Sequence, residues 1–293
     1  MRIFVTGASG WIGSNVVPDL LSAGHDVVGL ARSDASAAQL EAARVEVVRG
    51  DLDDLDTMRA AAAGSDGVIH LAYNHDFADL DAAAKADARV IEVFGAVLEG
   101  SDKPLVIASG TPNLNGRVAT ERDQPGAVGP LAARGANARA AIAMAGRGVR
   151  SCVVRLPRSV HGEGDLHGFI PRLIAIAREK GVSGYVGDGS SRWPAVHALD
   201  AARLFRLAVE EAPAGSTLHA VADEGVPTRE IAVCIGQHLK LPTASVPAQD
   251  FGFLGLVLAG DMPASSALTR ELLGWRPVQP GLIEDLNQGH YFA

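Results

Sequence analysis

Tyr73, Asn74, His75 and Asp76 follow directly on a short apolar run and put a phenol, an imidazole and a carboxylate within four consecutive positions. Side chains of these types exchange protons with a substrate, and an imidazole does so near neutral pH with little tuning. Tyr73 or His75 is therefore the first candidate for a proton donor, the plainer alternative being a polar loop in which Asp76 caps the next helix. A second constellation, Thr6-Gly7-Ala8-Ser9-Gly10-Trp11-Ile12-Gly13, spaces glycines at 7, 10 and 13. Such spacing permits a tight turn, close approach of the backbone to a pyrophosphate, and close packing of a helix on a strand. With a strand before it and a helix after it, the free amides at the helix start face an anion, aided by the helix dipole. Gly7, Ser9, Gly10, Trp11, Ile12 and Gly13 are thus the expected cradle of a dinucleotide.

Which dinucleotide is decided at the end of the second strand, which reads Gly29-Leu30-Ala31-Arg32-Ser33 with no acid before Asp34. A carboxylate there would accept hydrogen bonds from the adenosine ribose. Arg32 instead offers charge-assisted bonds to a 2′-phosphate, and Ser33 adds a hydroxyl. NADP is expected rather than NAD; the alternative is a merely solvated arginine after a strand.

The elements that must position these groups are legible as an alternation. Val- and Ile-rich runs at 3–6, 27–31, 45–49, 67–71, 105–108 and 152–155 alternate with Ala- and Leu-rich stretches that start as helices near Trp11, Asp34, Leu55, Ala82 and Gly135. This pattern predicts βαβ units, a doubly wound Rossmann-like parallel sheet, and strands covered on both faces. Pro18 falls inside the first helix and predicts a kink or a displaced start. Residues 1–157 read as the dinucleotide-binding domain. Residues 158–293 read as a smaller α/β substrate lobe, with some segments returning to the sheet. Within that lobe we expect a loop over 158–168, a helix over 170–180, a strand near 218–221 and a helix capped by Thr228.

The 293 residues carry 26 basic and 34 acidic side chains, a formal charge of −8. Scattered basic residues argue against nucleic acid and against an anionic membrane surface. Two distant cysteines, Cys152 and Cys234, make neither a disulfide framework nor a zinc site, and no closed set of metal ligands is visible. No apolar run is long enough to span a bilayer. A cytoplasmic protein is expected.

The glycine fingerprint, Gly50-Asp51-Leu52, Val68-Ile69-His70-Leu71-Ala72, and Arg192-Trp193-Pro194-Ala195-Val196-His197-Ala198-Leu199-Asp200 together resemble the short-chain dehydrogenase/reductase superfamily, and within it the extended or atypical NAD(P)-dependent epimerase/dehydratase-like proteins. The resemblance implies that Asp51 and Leu52 border the adenine, that the His70, Leu71 and Ala72 segment runs beside the nicotinamide ribose, and that Arg155, Leu156 and Pro157 pass near the nicotinamide. It also implies a homodimer paired through sheet-domain helices. A catalytic serine or threonine is matched by Thr111 in Ser109-Gly110-Thr111-Pro112-Asn113, with Ser109 as the alternative and Asn113 toward the substrate.

The superfamily's tyrosine and its lysine four residues later are missing. In the corresponding stretch Pro130 or Leu131 takes the tyrosine place and Arg134 or Gly135 the lysine place. A proton must then come from Tyr73 or His75, or from His161 beyond the sixth strand. Tyr185 is a candidate pocket residue. Arg192 resembles the arginine that meets a substrate phosphate in nucleotide-sugar relatives, and could instead clamp a carboxylate or pair with Asp200 or Asp188. The leading expectation is an NADP(H)-dependent oxidoreductase acting on a small carbonyl or alcohol substrate. The alternatives are a nucleotide-sugar epimerase or dehydratase, and a non-catalytic dinucleotide-binding redox sensor.

Overall fold

The computed structural model describes residues 1–74, 80–126 and 132–292, with the side chains of Leu80, Phe253 and Leu256 left aside. Its first half runs β1 (Arg2–Thr6), α1 (Gly13–Ser22), β2 (Asp26–Ala31), α2 (Asp34–Ala42), β3 (Glu46–Arg49), α3 (Leu55–Ala63), β4 (Gly67–His70), α4 (Leu80–Leu98), β5 (Pro104–Gly110), α5 (Ala132–Ala143) and β6 (Arg150–Leu156). The second half adds β7 (Ser159–His161), α6 (Phe169–Lys180), β8 (Ser183–Tyr185), β9 (Arg192–His197), α7 (Ala198–Glu211), β10 (Ser216–His219), β11 (Asp223–Pro227), α8 (Thr228–Leu239), β12 (Thr243–Ser245), α9 (Phe253–Leu258), α10 (Ala267–Leu273) and α11 (Leu282–Asn287).

Alternate side chains of each central strand face opposite ways, so the sheet feeds two cores. Ile3, Val5, Val27, Cys152 and Val154 join one with α1 and α7; Phe4, Val28, Leu30 and Val153 join the other with α3, α4 and α5. Phe94 and Phe205, each fully buried on its own side, are anchors worth about 2–3 kcal/mol apiece. The seven strands stand in the order β10-β6-β5-β4-β1-β2-β3, all parallel. The order reverses between β1 and β4, and the carboxyl ends of strands part there into the crevice where open α/β sheets take ligands. β10, from the second half, closes the edge beside β6.

Apolar residues of α6, α8 and α11 enclose Trp193 and Ala195 of β9 in a separate core. β9 is the centre of a small sheet with β7 and β11, while β8 and β12 form a two-stranded ribbon. Trp193, Trp275, Cys152 and Cys234 are buried.

Three local expectations need correction. α1 continues through Pro18 without a break, and its start moves from Trp11 to Gly13 because the glycine turn occupies the intervening residues. The stretch 158–168 contains β7 as well as loop. Pro227 caps α8, and Thr228 is its first residue, its hydroxyl donating to the Gly189 carbonyl at 3.3 Å. Among the described residues no helix is long and apolar enough to cross a membrane.

Candidate functional site

Steric demand settles the glycine turn. Gly7 has φ +68°, and a Cβ on it would lie 2.7 Å from the Ala72 amide nitrogen, so the turn is pressed against the end of β4. A Cβ on Gly13 would lie 2.1 Å from the Gly7 carbonyl oxygen. Gly10 donates to that carbonyl at 3.0 Å and is exposed at the mouth of the cradle, with Ser9 partly buried beside it. These residues fit a diphosphate: backbone lines the turn and side chains do not fill it. Ile12 caps α1, and the Trp11 indole N–H donates to the Val160 carbonyl at 2.9 Å, fastening the turn to β7.

At the adenosine end Arg32 is exposed immediately after β2. Ser33 caps α2, its hydroxyl oxygen accepting from the Ser36 amide at 3.2 Å. Arg49, at the end of β3, donates to the Ser33 carbonyl at 2.7 Å and pairs with Asp34. The nearest acid to Arg32 in the turn is thereby offset by a second guanidinium. Asp51 accepts from the Asp53 and Asp54 amides at 2.9 and 3.2 Å, and Leu52 packs on the second core. The α3 cap is Asp54, which accepts from Thr57, so Asp51 closes the turn before the helix.

Beneath the carboxyl edge runs a closed buried network. Thr6 Oγ1 accepts from the Ala72 amide at 3.2 Å and lies 2.6 Å from His70 Nδ1; His70 Nε2 lies 3.1 Å from Asp87, whose other oxygen accepts from Asn137 at 2.7 Å. A neutral His70 satisfies every bond when the Thr6 hydroxyl donates to Nδ1 and Nε2–H donates to Asp87. His70 is therefore a structural brace that holds the Leu71 and Ala72 segment against the glycine turn. Asp87 and Asn137 escaped sequence reading. The signal was present, since Asp87 precedes Val90, Ile91 and Phe94 at helical spacing on a buried stripe.

Tyr73 follows this braced segment and is half-buried. The Arg134 guanidinium, in the first turn of α5, lies 4.1 Å from its ring centroid. Burial raises the phenol pKa; Arg134 opposes that shift, and Asp87 adds to it. Burial also lowers the Arg134 pKa, against the pull of Tyr73 and Asp87. A phenol from the β4 edge is thus packed on a cation in one of the two places considered for the superfamily's lysine. His75, Asp76, Pro130 and Leu131 lie outside the described residues. Ser109 is buried opposite Arg155 in the β5–β6 register, and the Thr111 amide donates to the Leu156 carbonyl at 3.0 Å, which sets Thr111 beside Leu156 and the buried Pro157.

Three second-half candidates have partners within the chain. His161 is fully buried, its Nδ1 2.8 Å from Asp285 and its ring edge-on to His197. Tyr185 lies in the β8–β12 ribbon under Arg229, with Gly189 against its ring. Arg192 pairs with neither Asp200 nor Asp188. Its Nε and Nη2 reach Asp261 at 3.0 and 2.8 Å, and Nη2 also donates to the Gly116 carbonyl. Asn113 is exposed in the loop that follows Thr111 and accepts from the Asn115 amide at 2.9 Å.

A model of the NAD dependent epimerase/dehydratase family matches residues 3–221. The chain belongs to this family. Its members are NAD(P)-dependent oxidoreductases and epimerase/dehydratases built on this Rossmann-like sheet. The chain is similar to the uncharacterized protein C2A9.02 of Schizosaccharomyces pombe, 49% identical over 298 residues that cover 100% of both chains. The chain is also similar to the 4-hydroxy-2-methyl-3-oxo-4-farnesyl-3,4-dihydroquinoline-1-oxide ketoreductase of Stigmatella aurantiaca, with 28% identity over 96% of this chain and 82% of that one. Among solved structures, MoeE5 in complex with UDP-glucose and NAD is 25% identical and superposes with a TM-score of 0.78 over 99% of this chain and 97% of that one.

Proposed function

We propose that this protein is an NADPH-dependent reductase of small carbonyl compounds in which Tyr73, packed on Arg134, gives the proton. The observation that carries the reading is the 4.1 Å approach of the Arg134 guanidinium to the Tyr73 ring at the carboxyl edge of β4. Bound in the crevice, the nicotinamide would supply hydride to the carbonyl carbon. Thr111 donates a hydrogen bond to the carbonyl oxygen and orients it. Tyr73 then transfers its hydroxyl proton to that oxygen, leaving an alcohol. With its pKa raised, the phenol holds its proton at neutral pH, and the nearby guanidinium favours the phenolate that remains. The similarity to a named ketoreductase supports carbonyl reduction, and Arg192, already committed to Asp261, gives no help to a nucleotide-sugar reading. Arg32, with Asp34 already paired to Arg49, supports NADP over NAD. Two buried free thiols suit a cytoplasmic enzyme, and a homodimer is the expected assembly.

The test is NADPH oxidation across a panel of aldehydes and ketones. Tyr73→Phe should lower kcat about 100- to 1000-fold without altering NADPH affinity. Reduction should stay flat through neutrality and decline only as pH climbs toward the raised phenol pKa, with the reverse oxidation rising over the same range. Arg134→Met should move that decline further alkaline. Undiminished turnover in Tyr73→Phe removes the assignment.

A further inference from the structure

Arg158 stands immediately after Pro157, where the chain leaves β6 beside Thr111. Its Nη2 donates to the Met262 thioether at 2.7 Å, and its guanidinium lies 5.6 Å from the Phe169 ring centroid. Its Nε is buried and has no hydrogen-bond partner. Among the described residues no carboxylate forms an ion pair with it, whereas Arg2, Arg117, Arg147, Arg192 and Arg206 each reach one within 2.9 Å. Burial, with nothing opposing it, pushes the Arg158 pKa down to about 10, so the group stays charged at neutral pH. A thioether is a weak acceptor. A desolvated cation held without an anion is costly, and a ligand that brings the anion removes that cost.

We propose that Arg158 is the anchor for a carboxylate on the substrate, and that this enzyme therefore reduces oxo acids. The proposal rests on the reductase reading and names its substrate class. The wall around Arg158 suits such a molecule. A Cβ on Gly260 would lie 3.6 Å from Asn113 Nδ2 and 3.7 Å from Met262 Cγ, so Gly260 stands between Asn113, two residues beyond Thr111, and the buried Met262 that Arg158 touches. Phe169, partly exposed beside the guanidinium, offers apolar contact to a carbon chain, while the guanidinium meets its charged end. One uncompensated guanidinium matches a monoanion, whose two oxygens face its N–H fork. A phosphate dianion would call for a second cation, and Arg192 is bound to Asp261.

The experiment uses the intact protein with NADPH and compares acetoacetate, levulinate and phenylglyoxylate with their methyl esters, and dihydroxyacetone phosphate with dihydroxyacetone. The wild type should show a KM for the acids about 10-fold or more below that for the esters. Arg158→Met should raise the acid KM about 30-fold while the ester KM and NADPH affinity stay as they were. Arg158→Lys should recover part of the preference, and it supplies the test if the methionine variant fails to fold. Equal use of acid and ester by the wild type, or an acid preference that survives both substitutions, overturns the proposal. Selection of the phosphate over the acids overturns the carboxylate assignment. If no compound is reduced, the reductase reading fails and binding decides the anchor separately. A rise in melting temperature of the wild-type NADPH complex with phenylglyoxylate, absent in Arg158→Met, upholds it, and no rise in the wild type overturns it.

Discussion

The two ends of the central sheet treat buried polar groups differently: the strands around β1 and β4 satisfy theirs, whereas β6 and the chain beyond it do not. In the first half Thr6, His70, Asp87 and Asn137 close a network without an open end. Buried side-chain atoms with no partner, among the described residues, are confined to positions beyond 120: Glu121, Ser151, Arg155, Arg158, Ser159, His161, Trp193 and His290. Among the described residues up to 120, which include the glycine turn, no buried side-chain donor is left without a partner. Beyond position 120 the unpartnered atoms include Ser151 and Arg155 of β6 as well as second-half residues such as Arg158, and an unmatched polar group of this kind penalises a ligand that does not satisfy it.

The sharpest way to break this contrast is Gly13→Ala. With the new methyl 2.1 Å from the Gly7 carbonyl oxygen, the turn must move. Stability should fall by about 3 kcal/mol, and NADPH binding should vanish from a fluorescence titration. Retained binding would show that the first half has slack after all.

A comparable loss is expected from acid in the second half, through His219. Burial pushes its pKa down to about 4, and the neutral ring is what the fold accepts, with Nδ1–H donating to the Ser265 carbonyl and Nε2 facing an Arg155 N–H. As pH falls from about 6.5 to 4, the unfolded chain takes up a proton that the folded chain refuses. Stability should drop by roughly 3 kcal/mol over that window. Urea melts at stepped pH measure it, and His219→Gln should lose this part of the slope.

A smaller effect, confined to one coenzyme, is expected of Arg32→Ala. The Kd for NADPH should rise about 10- to 50-fold with NADH nearly unmoved, by titration of each; equal weakening of both would remove Arg32 from 2′-phosphate recognition. The smallest is Trp11→Phe, which deletes the indole bond to the Val160 carbonyl. About 1 kcal/mol of stability should go, measured by denaturant midpoint.

Legibility in the sequence followed the range of the forces involved. The first six strands and the glycine turn were readable because Val and Ile runs and glycine spacing are local signals. β7, β8, β11 and β12 were not, being short segments whose pairing depends on neighbours far along the chain. The same distance hid the partners of candidate residues. Nothing near Arg192 announces Asp261, nothing near His161 announces Asp285, and Tyr73 meets Arg134 only because β4 and α5 are brought together by the sheet. Arg158 was missed although its position directly beyond Pro157 was a signal, because an arginine in a loop ordinarily reads as solvated.

Helix α7 belongs by sequence to the second half and by packing to the first. Leu204, Phe205 and Val209 lie in one core with Val16, Val17 and Leu20 of α1, and Arg206 locks onto Asp19. A polypeptide ended after Pro157 would therefore expose an oily strip along one whole side of its sheet. Such a fragment would clump rather than survive alone, so the sheet domain is not a unit that can be cut free of the residues after Pro157.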